Sequence, residues 1–147
     1  MGRVQTRSTT KRIIRDKNKK VFKNMKPGDL IKMPRIKGIY SHWAVCVGGG
    51  DLVHMAPEIS LEKGKVCRNK FWEVVEDSEA EINNSKDDKY SPLSVDEILA
   101  NANSKIGQKG YHAFEYNCEH FANECRYGEK FSDQVNVIKQ AWAKLQG

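Results

Sequence analysis

Asn117 and Cys118 place a thiol at the predicted start of a helix. Asn is a favourable N-cap residue, and the segment from Cys118 to Arg126 has helical character and ends before Gly128. Backbone N–H groups in a first helical turn are free, and the helix dipole is positive there, so both favour a thiolate. The sequence therefore makes Cys118 a candidate nucleophile.

Two histidines could supply the base and the group that orients it, as a nucleophilic thiol requires. His42 opens an extended segment that ends at four turn-forming residues, 48–51, and His54 lies in the extended segment that follows. We expect both on neighbouring antiparallel strands. One Cys and two His at such distances often occur by chance, and the same three side chains could ligate zinc. Their spacing alone leaves these alternatives open.

The elements that must position these residues alternate between strands and helices. Residues 30–33 read as a first strand, and residues 63–75 as a further strand pair. Ser94, with Glu97 three positions later, has the pattern of a helix start, and that helix would end at Gly107. A short strand or bridge is expected at residues 111–114 and a last helix at residues 135–145. This pattern predicts an α+β domain with an antiparallel sheet packed against helices.

Charge divides the 147 residues into two parts. Residues 1–26 contain 10 of the 25 Lys and Arg and a single acid, Asp16, which gives +9, whereas the remainder is close to −3. We expect a flexible basic arm at 1–26, with a short helix through residues 11–22, and one domain at 27–147. Basic segments attract RNA phosphates or anionic membrane surfaces, and composition does not choose between them.

Cellular location follows from what the sequence lacks. It has no apolar run of membrane-spanning length and no secretory signal pattern, so we expect a cytoplasmic protein, peripheral at most to membranes, in a reducing compartment. The four cysteines are then expected to be free thiols: Cys46, Cys67, Cys118 and Cys125.

Four blocks in the sequence resemble consecutive motifs of the lecithin:retinol acyltransferase family, and most closely its HRAS-like suppressor phospholipase/acyltransferase branch. They are KPGDLIKM, YSHWAVCVGGGDLVHMAP, KDDKYSPL and YNCEHFANECRYGEKFSDQV. The resemblance implies a permuted papain-like, NlpC-type thiol fold. It also implies Cys118 as nucleophile, His42 as base and His54 as the second histidine. Tyr40 and the Cys118 backbone N–H would bind the oxyanion.

The activity that this resemblance implies is a Cys thioester formed with an acyl group from a phospholipid, with neither metal nor cofactor. Cellular members carry a C-terminal hydrophobic anchor, where this sequence continues NVIKQAWAKLQG. The chain also resembles the non-protease 2A proteins of some picornaviruses, which share the H-box and NC-box. That alternative implies a catalytically altered interaction module in the host cytoplasm, binding RNA or host proteins.

Overall fold

A computed structural model describes residues 7–36, 38–57, 64–110, 117–129 and 132–146. Its centre is a five-stranded antiparallel sheet in the order β4-β3-β2-β1-β5. The strands are β1 (Leu30–Arg35), β2 (Tyr40–Gly48), β3 (Asp51–Met55), β4 (Val66–Lys70) and β5 (Glu81–Ile82). The helices are α1 (Arg7–Asn24), α2 (Phe71–Val75), α3 (Val95–Ser104), α4 (Cys118–Tyr127) and α5 (Asp133–Gln146), with a 3-10 turn at Ser85–Asp88. The fold class is α+β, consistent with the NlpC-type thiol fold, as predicted.

Alternation along the strands gives the sheet two buried faces, because successive side chains point to opposite sides. On one face, odd-numbered residues of β2 pack against α3 and α4, and Phe121 of α4 is fully buried there. On the other face, even-numbered residues of β2 meet α2 through Phe71. A sheet covered on both sides holds its central strands, β1 to β3, in fixed positions for the site.

Helix α1 packs against the domain on the α2 side. Asn18 is only 2% exposed; its side chain donates to the Ser78 carbonyl and accepts from the Ala80 N–H. Phe22 stacks against Phe71. The helix is longer than the short one expected within the flexible arm, and these contacts hold it against α2 and the segment before β5. A domain boundary at residue 26 stays a prediction.

The predicted strand pair at residues 63–75 is wrong in its second half. Val66–Lys70 is a strand, but Phe71–Val75 is a helix whose residues 71, 74 and 75 are buried. Ser94 caps α3 as predicted, accepting a hydrogen bond from the Glu97 N–H. The strand or bridge expected at residues 111–114 lies outside the described residues. All four cysteines are free.

Candidate active site

The thiol of Cys118 lies against an open stretch of the edge of β2. Toward the start of β2, the last residue paired with β3 is Ala44, which lies opposite His54. The preceding residues of β2 have no partner on that side among the described strands. The Cys118 Sγ occupies this edge. It is hydrogen-bonded to the Ser41 carbonyl, at 3.7 Å, and to the backbone N–H of Trp43. The pairing register thus determines where the thiol can sit, directly beside the backbone that carries His42.

The N-terminus of α4 presents that thiol in the way the sequence predicts. Asn117 is the N-cap, and its side chain accepts hydrogen bonds from the N–H groups of Glu119 and His120. His120 completes a capping box, because its Nδ1 accepts from the Asn117 N–H at 3.1 Å. These contacts fix the first turn and leave the Cys118 N–H outside the cap. His120 has a structural role here.

His42 and His54 form a direct imidazole pair. Ala44 lies two residues after His42 on β2, and His54 lies opposite Ala44 on β3. Both imidazole rings therefore project from the same face of the sheet. The His42 Nε2 is 2.8 Å from the His54 Nδ1, and the rings are perpendicular. The prediction that the two histidines lie on neighbouring antiparallel strands is therefore confirmed.

Asn69 on β4 determines which ring nitrogens of the two histidines carry hydrogen. Its Oδ1 lies 2.9 Å from the His54 Nε2 and can only accept, so that nitrogen carries the hydrogen. Neutral His54 then accepts at Nδ1, and the His42 Nε2 must donate to it. Neutral His42 is left with a lone pair on Nδ1, which is buried and has no hydrogen-bond partner among the described residues. Such a nitrogen is arranged to accept a proton.

Cys67 lies beside Asn69 and contacts the same imidazole. Its Sγ is 3.3 Å from the His54 Nε2, so the His54 N–H has a second, softer acceptor. Sequence reasoning missed both residues. The sequence predicts β4 as a strand, but it does not give the register of β4 with β3, which places both residues beside His54.

Burial sets the charge state of the site. Cys118 is fully buried, which raises the pKa of its thiol, while the hydrogen bonds from Tyr40 and the Trp43 N–H oppose that rise. The pKa of His42 is lowered well below its ordinary value by burial, then by His54 and Arg35. The thiolate expected from the helix dipole is therefore not the favoured resting form. Both pKa shifts favour a neutral thiol and a neutral imidazole.

Tyr40 stands where the resemblance places an oxyanion donor. Its hydroxyl lies 2.9 Å from the Cys118 Sγ. Arg35, directly opposite Tyr40 across the β1–β2 pair, was missed by the sequence analysis. Its guanidinium donates to the Val74 and Val75 carbonyls, which hold a positive charge at this end of the sheet.

Known proteins are similar to this sequence over most of the chain. The family model described as lecithin retinol acyltransferase matches residues 23–131, which contain Tyr40, His42, His54 and Cys118. The chain belongs to this family. It is 39% identical over 127 residues to phospholipase A and acyltransferase 3 of Homo sapiens, with 77% of each chain covered.

Other relatives in the lecithin retinol acyltransferase family support the same branch. Phospholipase A and acyltransferase 4 of Homo sapiens is 34% identical over 128 residues, covering 78% of this chain and 77% of the relative. Phospholipase A and acyltransferase 2 of Homo sapiens is 38% identical over 122 residues, covering 74% of each. The phospholipase/acyltransferase branch inferred from the motifs is thus confirmed. Most of α1 precedes the matched region.

Proposed function

We propose that this chain is a thiol-dependent acyltransferase and phospholipase that forms a thioester on Cys118 with an acyl group from a phospholipid. The observation that carries the proposal is the hydrogen-bonded series Asn69, His54, His42, which leaves a buried lone pair on the His42 Nδ1. That nitrogen belongs to the residue between Ser41 and Trp43, the two residues whose backbone groups hold the Cys118 thiol. The similarity to proteins named phospholipase A and acyltransferase supplies the substrate class.

In the first half-reaction, the Cys118 sulfur attacks the ester carbonyl carbon and its proton passes to the His42 Nδ1. The carbonyl π electrons move to oxygen. When the tetrahedral intermediate collapses, the C–O bond to the lysophospholipid breaks, and that oxygen takes the proton from His42. His54 keeps accepting from the His42 Nε2 throughout, so it stabilises the imidazolium without changing its own protonation.

The developing oxyanion needs fixed donors where its charge appears. Tyr40 can donate from its hydroxyl, because that group already lies within hydrogen-bonding distance of the sulfur. The Cys118 N–H, which the cap does not use, is the second donor. Each donor of this kind is worth about 3 kcal/mol of transition-state stabilisation.

In the second half-reaction, water or an amine or hydroxyl acceptor attacks the thioester carbonyl. Neutral His42 accepts the acceptor's proton, the C–S bond breaks, and the proton returns to the sulfur. Water as acceptor gives phospholipase activity and an amine or alcohol gives acyl transfer.

No helix among the described residues is long and apolar enough to span a bilayer. We place the reaction at the cytoplasmic surface of membranes. A picornaviral type of module that binds RNA or host proteins stays a prediction from the sequence.

A steady-state assay tests the proposed function. Short-chain phosphatidylcholine is supplied with and without a primary amine, and fatty acid, lysophospholipid and N-acyl product are quantified. Wild type should release lysophospholipid, and amine should divert acyl groups from fatty acid to amide. Cys118→Ala should abolish all products, whereas Cys125→Ala, which changes a buried thiol on the same helix, should retain them. Turnover by Cys118→Ala equal to wild type would contradict the proposal.

A further inference from the structure

The turn between β1 and β2 exposes two isoleucines next to the candidate active site. Ile36 is 71% exposed and Ile39 is 82% exposed. Ile39 is followed directly by Tyr40, whose hydroxyl contacts the Cys118 Sγ. Single exposed apolar residues are ordinary, but Ile36 and Ile39 lie at one turn beside a site for lipid chemistry, and together they form an apolar tip.

The described residues of this turn, on either side of position 37, have two backbone hydrogen bonds and one unfavourable backbone conformation. The Gly38 N–H donates to the Arg35 carbonyl and the Ile39 N–H to the Ile36 carbonyl, both at 3.1 Å. Ile36 has φ of 50°, a conformation that β-branched residues rarely adopt. The positive φ at position 36 would favour Asn or Gly over Ile. Its exposure to water would favour a polar side chain. The backbone conformation and exposure of the apolar tip thus lower the stability of the free protein. Burial of both side chains in an apolar phase would offset that loss.

Positive charge lies at the same end of the molecule. The C-terminal part of α1 lies near the opposite end, since Phe22 packs beside Gly50 in the β2–β3 turn. Its N-terminal part, with Lys11 and Arg15, lines a groove together with two acids, Glu76 and Asp77. Glu76 also lies 3.9 Å from Arg35, at the base of the tip. The exposed basic residues of this part of α1 are Lys11, Arg12 and Arg15. An anionic surface facing the apolar tip would therefore also attract α1.

We infer that the β1–β2 turn is a membrane-contact element, in which the apolar tip enters the surface of a phospholipid bilayer while the N-terminal half of α1 lies over anionic headgroups. This rests on the proposed function, since it names the surface from which that site takes its substrate. Entry of the tip brings Tyr40 to the lipid interface, where ester carbonyls lie, and Tyr40 contacts the buried Cys118 thiol directly. The chain would then take its acyl donor directly from the bilayer.

Vesicle flotation tests the inference without requiring catalysis. Vesicles of ether-linked phosphatidylcholine and phosphatidylserine have no ester for the site to cleave. The test variant is Ile36→Asn with Ile39→Ser; the matched control is Val95→Ser, which changes a half-exposed aliphatic residue near Gly28, at the other end of β1. The test variant should lose at least about tenfold in partition coefficient, from the apolar transfer of two side chains, and the control should match wild type.

The other outcomes are also decisive. The melting temperature of the test variant should not fall, because Asn tolerates the positive φ at position 36 better than Ile. Cys118→Ala should bind the vesicles like wild type, so loss of turnover and loss of binding are separable. Unchanged partition of the test variant would overturn the inference even in an active enzyme. So would a loss of binding caused only by Trp142→Ser, which removes an exposed aromatic on α5.

Discussion

Replacing Asn69 by Leu removes the acceptor that fixes the tautomer of His54 and keeps the number and branching of the side-chain heavy atoms. The His54 Nε2–H then loses a partner at 2.9 Å. If that hydrogen moves to the His54 Nδ1, the His42 Nε2 must become an acceptor, and the His42 Nδ1 carries a proton and cannot act as base. Asn69 reaches His42 only through His54, so its role is positioning.

The expected size of this effect follows from one hydrogen bond. A neutral hydrogen bond contributes about 1 kcal/mol net, and about 1.4 kcal/mol corresponds to tenfold in rate, so kcat should fall about fivefold at unchanged KM. Cys67 limits the loss, because its Sγ, 3.3 Å away, can still accept from the same N–H. Cys67→Ala alone should change kcat less than about twofold. The double variant should lose more than the two single effects combined.

Pre-steady-state acylation with short-chain phosphatidylcholine, measured across pH, is the assay. Asn69→Asp keeps the acceptor and adds a negative charge, which raises the pKa of the coupled imidazoles. It should therefore retain activity, with its acid limb moved to higher pH, a shift that a merely structural role would not produce. Wild-type kcat and an unchanged pH profile in Asn69→Leu and in the double variant would refute the reasoning.

Four further predictions follow from the same contacts. Tyr40→Phe removes the hydroxyl next to the Cys118 Sγ and should lower kcat about 100-fold while leaving the melting temperature close to wild type; a loss below about threefold would exclude Tyr40 as an oxyanion donor. The lowered pKa of His42 keeps its base neutral in mild acid, so the acid limb of kcat/KM should lie below about pH 6.5, and a limb above that value would contradict the buried neutral imidazole. For the same reason, the stability contributed by neutral His42 is present above about pH 6.5 and is lost as pH falls toward its folded pKa, which urea denaturation at several pH values would measure. Asn117→Ala removes the acceptor for two N–H groups at the start of α4 and should cost about 1 kcal/mol in urea denaturation; Asn117→Asp, which keeps the acceptor, should cost less.

The parts of the site that were predictable lie on elements with strong local signals. Asn117 before Cys118 marks a helix start, and the glycines between His42 and His54 mark a hairpin, so both histidines could be placed on adjacent strands. Tyr40 was found only by family resemblance. Its contact with the thiol depends on where α4 meets β2, and no local pattern determines that.

The parts that were missed depend on register and burial. The contact of Asn69 with His54 follows from the β3–β4 pairing, which sets Leu52 opposite Asn69 and His54 opposite Cys67. Residues 71–75 look like a strand because they are aromatic and β-branched, yet they bury positions 71, 74 and 75, which is helical spacing. A segment of five residues is too short for periodicity to decide. The raised pKa of the Cys118 thiol likewise comes from complete burial, which the sequence position alone did not reveal.

The most direct test of a thioester on Cys118 is intact-protein mass spectrometry after rapid mixing with short-chain phosphatidylcholine. Wild type should gain the mass of one acyl group less one hydrogen, and hydroxylamine at neutral pH should remove it. Cys118→Ala should gain nothing, and His42→Ala should gain the adduct far more slowly. Lysophospholipid release by wild type with no trapped adduct, or an adduct that survives on Cys118→Ala, would contradict Cys118 as the nucleophile.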